Sequence, residues 1–171
     1  AADYNAATQW ILTIFMILFG VNFNVYFLFY VKKWKDGLRC EEARAYFGII
    51  LGSVALISFN IYHLVRNVEL TVRQAAFQVA SIITTTGFSS TDFNQWPALS
   101  KTVLMLLMFV GACAGSTGGG IKVSRILILC KAAKKEFQLY LHPNAVKKIK
   151  MDNKIISHEI LRSTNIYISV Y

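Results

Sequence analysis

The chain has 171 residues, of which 55% are hydrophobic and only 16% charged, with a formal net charge of +9. A soluble domain would carry about a quarter charged residues, so the composition indicates a membrane protein. The positive residues flank apolar segments and form no basic face interleaved with aromatics, which argues against a nucleic-acid partner. The three cysteines have no metal-ligand spacing, and we expect reduced packing residues at Cys40, Cys113 and Cys130.

Two apolar segments, residues 10–31 and 46–65, are each long enough to cross a bilayer core of roughly 30 Å. The connector between them is rich in lysine and arginine, which places it in the cytoplasm. The first span therefore runs from outside to inside and the second returns. Asn22 and Asn24 interrupt the first span; interhelical hydrogen bonding is favoured there over a pore-facing position.

Residues 66–97 are too polar to span, although residues 75–83 are apolar. This pattern predicts a short helix that enters the membrane from outside and returns as extended chain. Such backbone is tolerated at membrane depth only where it lines a wet cavity or is buried in protein. Gln74 and Gln78 lie one helical turn apart, and we expect them to support this helix by hydrogen bonding.

The short helix leads into a run of three threonines followed by Gly87 and Phe88. Consecutive β-branched residues disfavour helix, and glycine permits backbone angles closed to other residues. A row of carbonyl oxygens pointing one way can replace the hydration shell of a potassium ion, and residues 85–88 resemble the TVGY core of potassium filters.

Residues 99–130 form an apolar stretch longer than one span requires, and residues 111–120 within it hold half of the chain's ten glycines. This composition predicts a helix broken in mid-membrane. A nucleotide-binding loop is disfavoured because Ile121 separates the last glycine from Lys122. An intramembrane serine protease using Ser116 and His63 is disfavoured because those residues lie near opposite ends of the predicted topology. A gate and a simple packing kink remain open, and the filter-like loop upstream favours the gate.

A basic cytoplasmic stretch follows, from Lys122 to Lys154, and we expect the helix within it to end at His142-Pro143. Residues 160–171 begin another apolar run. The chain starts without methionine and stops within that run, so we expect it to be part of a longer polypeptide.

These motifs together resemble the Trk/Ktr/HKT superfamily of potassium transporters and channels, and most closely its bacterial Trk-type membrane subunits. The similarity lies in four segments: residues 20–23, residues 76–88, residues 114–123 and residues 141–146. The segment at 114–123 is the most specific of them, and the resemblance covers nearly the whole chain.

The resemblance implies an all-α transmembrane fold of helix–pore loop–helix repeats, four in one polypeptide around a single pore. Residues 1–45 would hold the last helix of the second repeat and a connector. Residues 46–135 would form the third repeat with a broken second helix, and residues 136–171 a basic segment and the start of the fourth.

The implied function is potassium uptake across the cell (inner) membrane by a multi-pass pore subunit, without catalysis or a covalent cofactor. The implied selectivity filter is Thr84, Thr85, Thr86, Gly87 and Phe88, with potassium bound at Thr85, Thr86 and Gly87. The implied gating loop contains Gly111, Gly115, Ser116, Thr117, Gly118, Gly119 and Gly120.

The implied partners are the remaining repeats, a second full-length chain in a homodimer, the lipid bilayer and a cytoplasmic nucleotide-binding regulatory ring. The part of the basic stretch from Lys131 to Lys154 is a candidate docking surface for that ring, although solvated positive-inside charge explains it almost as well. Two alternatives remain open: a self-contained single-repeat homotetrameric cation channel, and a non-conducting membrane scaffold whose basic loop binds a partner.

Overall fold

A computed structural model describes residues 4–141, 149–152 and 154–171. The fold is predominantly helical, which confirms the all-α prediction. In chain order the elements are α1 Ala6–Phe19, α2 Phe23–Tyr30, α3 Trp34–Arg39, α4 Glu41–Val65, α5 Val68–Ile83, a 3₁₀ turn Phe93–Gln95, α6 Ala98–Val110, α7 Val123–Leu141, the two-residue strands β1 Lys150–Met151 and β2 Lys154–Ile155, and α8 His158–Val170. The strands pair antiparallel.

The core lies where α4, α5 and α6 pack together, with α1 against α5 and α7 against α4. On α4 the buried side chains recur at helical spacing along one face, as at Tyr46, Ile57 and Ile61. The opposite face carries exposed apolar side chains such as Phe59. A helix that is apolar on both faces is typical of a membrane span.

Among the described helices, α4 alone is long and apolar enough to span a membrane by itself. It begins at Glu41, five positions before the predicted start at residue 46. The helix α5 begins at Val68, before the apolar segment 75–83, and most of its side chains from Ala75 to Ile83 are buried.

Residues 10–31, expected to form one spanning helix, are divided between two helices. That segment forms α1 and α2, which bend by 88° at the break between them. Gly20 ends α1, and the side chain of Asn22 accepts a hydrogen bond from the backbone N–H of Asn24 at the start of α2. An amide cap at this point satisfies the donors that the new helix exposes.

The predicted break after residue 99 is confirmed. The helix α6 ends at Val110, residues 111–122 form no regular helix, and α7 begins at Val123. The predicted stop at His142-Pro143 lies outside the described residues; α7 is described up to Leu141.

The expectation for the cysteines is correct for Cys113, which is buried, and Cys40 is half-buried. It is wrong for Cys130, which is exposed and therefore not a packing residue.

Candidate functional site

The filter-like loop starts directly at the carboxyl end of α5. The backbone N–H of Thr85 donates to the carbonyl of Ile82 at 3.0 Å, and those of Thr86 and Gly87 donate to the carbonyl of Ser81 at 2.9 and 3.4 Å. In a trans peptide the carbonyl lies opposite the N–H of the next residue. The carbonyls that precede these three N–H groups are therefore directed away from α5, on a common side.

The described residues donate no hydrogen bond to these carbonyl oxygens. Within the described part of the chain, the carbonyls of Thr84, Thr85, Thr86 and Gly87 accept no hydrogen bond. Unpaired backbone oxygens are costly in an apolar environment, and a dehydrated cation satisfies them well. An open cavity of about 230 Å³ adjoins the loop, lined by Ser81, Ile82, Thr85, Gly87 and Met108.

Two residues of the loop have left-handed backbone conformations, Thr85 at φ 56° and Gly87 at φ 80°. Space does not require glycine at position 87, because a Cβ there would meet no atom within 4 Å. The backbone angle does require it, since residues with a side chain rarely adopt positive φ. Thr85 adopts that conformation without being glycine, which is a local strain that its hydrogen bonds must hold.

The threonine hydroxyls hold the loop in place. Thr84 Oγ1 donates to the carbonyl of Ala80 at 2.6 Å and lies 2.8 Å from Thr86 Oγ1. Thr85 Oγ1 accepts a hydrogen bond from the backbone N–H of Gly119 at 2.8 Å. All three hydroxyls therefore have hydrogen-bond partners within the protein.

The outer half of the loop is tied to α5 by two side chains. Gln78 Nε2 donates to Ser89 Oγ at 2.8 Å and to the carbonyl of Thr91 at 3.1 Å, as the sequence led us to expect. Ser81 Oγ donates to the carbonyl of Phe88 at 2.5 Å, which turns that carbonyl back towards α5. The Phe88 carbonyl therefore accepts a hydrogen bond, unlike the carbonyls of the four preceding residues. Gln74 makes no such contact within the described residues.

The glycine-rich loop, residues 111–122, packs directly against the filter-like loop. A Cβ on Gly118 would lie 2.8 Å from Ala112 Cβ and 3.3 Å from the carbonyl oxygen of Thr84. A Cβ on Gly111, where φ is 67°, would lie 2.5 Å from the carbonyl oxygen of Gly119. The loop thus folds back on itself and reaches the filter-like loop through backbone that tolerates no side chain.

Polar side chains of the glycine-rich loop donate to backbone carbonyls of the loop itself and of α1. Ser116 Oγ donates to the carbonyl of Cys113 at 2.6 Å, and Thr117 Oγ1 to that of Phe19 at 3.5 Å. The ammonium group of Lys122 donates to the carbonyl of Gly118. Gly115 has positive φ and accepts a hydrogen bond from the backbone N–H of Phe23 at 3.3 Å.

Glu42 also contacts this loop, and sequence reasoning missed it. Its side chain is 3% exposed, and Oε1 accepts hydrogen bonds from the backbone N–H groups of Ala114 at 2.5 Å and Ser124 at 3.2 Å. Asn22 Nδ2 donates to Oε2 at 3.1 Å, which agrees with the interhelical role preferred for that asparagine. The available signal was a carboxylate within the first turn of a long apolar helix, which we assigned to the solvated connector.

The chain matches known proteins over nearly its whole length. The family profile described as "TrkH: Cation transport protein" matches residues 2–171. The Trk system potassium uptake protein TrkH of Escherichia coli K12 is 35% identical over 167 residues, and that of Salmonella typhimurium 37% over 164 residues. Each alignment covers 94% of this chain and 34% of the relative.

A solved structure shows the same fold. The potassium transporter TrkH from Vibrio parahaemolyticus superposes with a TM-score of 0.86 at 30% identity, covering 96% of this chain and 36% of that one. The chain therefore spans about a third of the length of the relatives that it matches.

Proposed function

Because the chain belongs to the TrkH family of cation transport proteins, a family of integral membrane proteins, we propose that it forms one segment of a potassium uptake pore in the cell (inner) membrane. The observation that carries this proposal is the set of carbonyls from Thr84 to Gly87, which accept no hydrogen bond from described residues. The relatives' printed function, potassium uptake, gives these oxygens an ion to bind.

Potassium binds at Thr85, Thr86 and Gly87, with Thr84 and Phe88 beside it. Because the carbonyls of Thr84 to Thr86 share one direction, they replace part of the ion's hydration shell with no rearrangement at the moment of binding. One such segment surrounds the ion on one side only, so the remaining repeats of a longer polypeptide complete the ring. Transport by this route needs no covalent cofactor and no catalytic residue.

The glycine-rich loop is the gate. Its support is the contact with the filter-like loop: Gly119 donates to Thr85 Oγ1, and Gly118 leaves no room for a side chain beside Thr84. A loop rich in glycine and held by hydrogen bonds has alternative conformations of similar energy. A nucleotide-binding ring on the cytoplasmic side shifts this loop in a homodimer of full-length chains, and the basic stretch from Lys131 to Lys154 is its proposed docking surface.

The proposal is tested by growth of a bacterium that lacks its own potassium uptake systems. The longer polypeptide containing this chain is expressed unchanged and with Gly87→Ser, which places a side chain at φ 80°. We expect the unchanged protein to restore growth at low potassium and Gly87→Ser to lose growth or potassium-over-sodium selectivity. The control is Gly52→Ala, because a Cβ at Gly52 meets nothing within 4 Å and its backbone is helical.

Each contrary result identifies an alternative. Equal growth with Gly87→Ser and the unchanged protein contradicts the filter assignment and favours the scaffold with a basic partner-binding loop. Growth restored by the 171-residue chain expressed alone favours the single-repeat homotetrameric channel.

A further inference from the structure

Glu42 joins three segments that are far apart in sequence. It lies in the first turn of α4, and its carboxylate accepts hydrogen bonds from Asn22 at the break between α1 and α2, from Ala114 in the glycine-rich loop, and from Ser124 in the first turn of α7. The side chain is 3% exposed. The carboxylate therefore contacts the break between α1 and α2, the glycine-rich loop and the first turn of α7.

The charge of Glu42 is compensated without an ion pair. Among the described residues, no lysine or arginine forms a salt bridge with it. A buried carboxylate is stable when it accepts several hydrogen bonds, and bonds to a charged acceptor are stronger than neutral ones. Ser124 also lies at the amino end of α7, where the helix dipole favours a negative charge.

The two backbone donors define the geometry of the loop. Ala114 and Ser124 bind the same oxygen, Oε1, so the two ends of segment 115–123 are held at one point. The segment between them must then project as a closed loop, and its tip, Gly118 and Gly119, reaches Thr84 and Thr85. These two bonds fix the base of the loop, so movement of the whole loop away from the filter-like loop requires at least one of them to break.

We propose that Glu42 is a positioning residue that holds the glycine-rich loop in its ion-blocking conformation, an inference that rests on the proposed role of this loop as the gate. The carboxylate stabilises the closed loop and is released, in part or in full, when the loop moves away from the filter. Basal ion flux through the unregulated pore is therefore set by the strength of these hydrogen bonds.

The contact with Asn22 permits a test by exchange of donor and acceptor. In Glu42→Gln the new amide N–H₂ can face the N–H₂ of Asn22, so that two donors oppose each other. In Asn22→Asp two carboxylates face each other, while the cap on Asn24 keeps its acceptor oxygen. In the double variant the side-chain N–H₂ at position 42 donates to the carboxylate at position 22, and the side-chain oxygen at position 42 still accepts from the two backbone N–H groups.

The measurement is rubidium flux into liposomes containing the full-length polypeptide without its regulatory partner, normalised to folded protein by size-exclusion chromatography. We expect each single variant to raise the basal flux roughly tenfold, because one charge-assisted hydrogen bond is lost or opposed in the closed state. We expect the double variant to return to within about twofold of the unchanged protein. A purely structural role would lower protein yield and leave flux per folded protein unchanged.

Unchanged flux in both single variants, or a double variant that behaves as the sum of the two, overturns the inference. If neither single variant is recovered folded, Glu42→Asp decides: it keeps the charge but retracts the carboxylate by about 1.5 Å, and we expect raised flux. A Gly118→Ala arm separates the two proposals. If Gly118→Ala changes the flux and Glu42→Gln does not, only the role of Glu42 is refuted. If neither Gly118→Ala nor Glu42→Gln changes the flux, the role of the glycine-rich loop as the gate is refuted.

Discussion

Gly118 is the position at which the gate proposal can be tested by one methyl group. Its backbone lies between Ala112 and the carbonyl of Thr84, which accepts no hydrogen bond from a described residue. The substitution Gly118→Ala adds a Cβ that would lie 2.8 Å from Ala112 Cβ and 3.3 Å from the Thr84 oxygen. The glycine-rich loop or its neighbours must therefore shift to accept the added methyl group.

The size of the effect follows from those distances. Carbon atoms pack best at about 3.5–4.0 Å, so the loop must shift by roughly 1 Å to accept the new methyl group. Overpacking of this kind costs about 1–3 kcal/mol. If that cost falls on the closed loop and is relieved when the loop is displaced, the displaced population rises by about 5- to 150-fold. We therefore expect raised basal flux.

The assay is rubidium flux per folded protein, measured for the full-length polypeptide in liposomes. Gly119→Ala is the matched comparison, because its Cβ would lie at an ordinary 3.4 Å from Thr85 Oγ1 and the adjoining N–H is retained. We expect a smaller change from it than from Gly118→Ala. Normal flux in a folded Gly118→Ala protein, or a larger effect at the neighbouring glycine, would refute the steric reasoning.

Two further predictions concern the support of the filter-like loop and the connector before α4. Gln78→Leu removes the two hydrogen bonds from the Gln78 amide to Ser89 Oγ and to the Thr91 carbonyl, each worth about 0.5–1.5 kcal/mol. It should lower potassium-over-sodium selectivity in competitive uptake, whereas Gln74→Leu should not; equal effects would contradict the assigned hydrogen bonds. Burial, together with the nearby Asp152 carboxylate, raises the pKa of the Cys40 thiol. Maleimide should therefore label Cys40 more slowly than the exposed Cys130 at neutral pH, and the rate at Cys40 should increase as the pH rises. A labelling rate at Cys40 that does not change with pH would contradict the raised pKa.

The features that the sequence predicted correctly depend on local chemistry. A threonine run followed by glycine cannot continue a helix, and α5 ends at Ile83, immediately before it. Five glycines within ten residues interrupt the helix after Val110, as composition alone predicted. Gln78 lies on the side of α5 that faces the returning chain, and its side-chain amide supports the loop from there. The roles of the filter and gate residues remain predictions, which the experiments above test.

Tertiary structure decided where the chain bends and which charges are buried. The break at Gly20 depends on partners far along the chain, since Cys113 donates to the Gly20 carbonyl at 3.1 Å and Gly115 accepts from Phe23. An apolar run of that length gives no sign of such donors. From sequence alone, Glu42 is interpreted as a solvated charge. In the structure, α7 and the glycine-rich loop place two backbone N–H groups within hydrogen-bond distance of its carboxylate.

One physical reason separates the features that the sequence predicts from those that only the tertiary structure decides. Backbone conformational preference and hydrophobic length are properties of neighbouring residues, so the amino-acid sequence by itself determined the membrane class, the filter-like loop and the broken helix. The hydrogen-bond partners of a buried polar group are instead the donors and acceptors that the tertiary structure places within about 3 Å of it. Tertiary structure therefore determined the 88° bend, the partners of Glu42 and the contact between the filter-like loop and the glycine-rich loop.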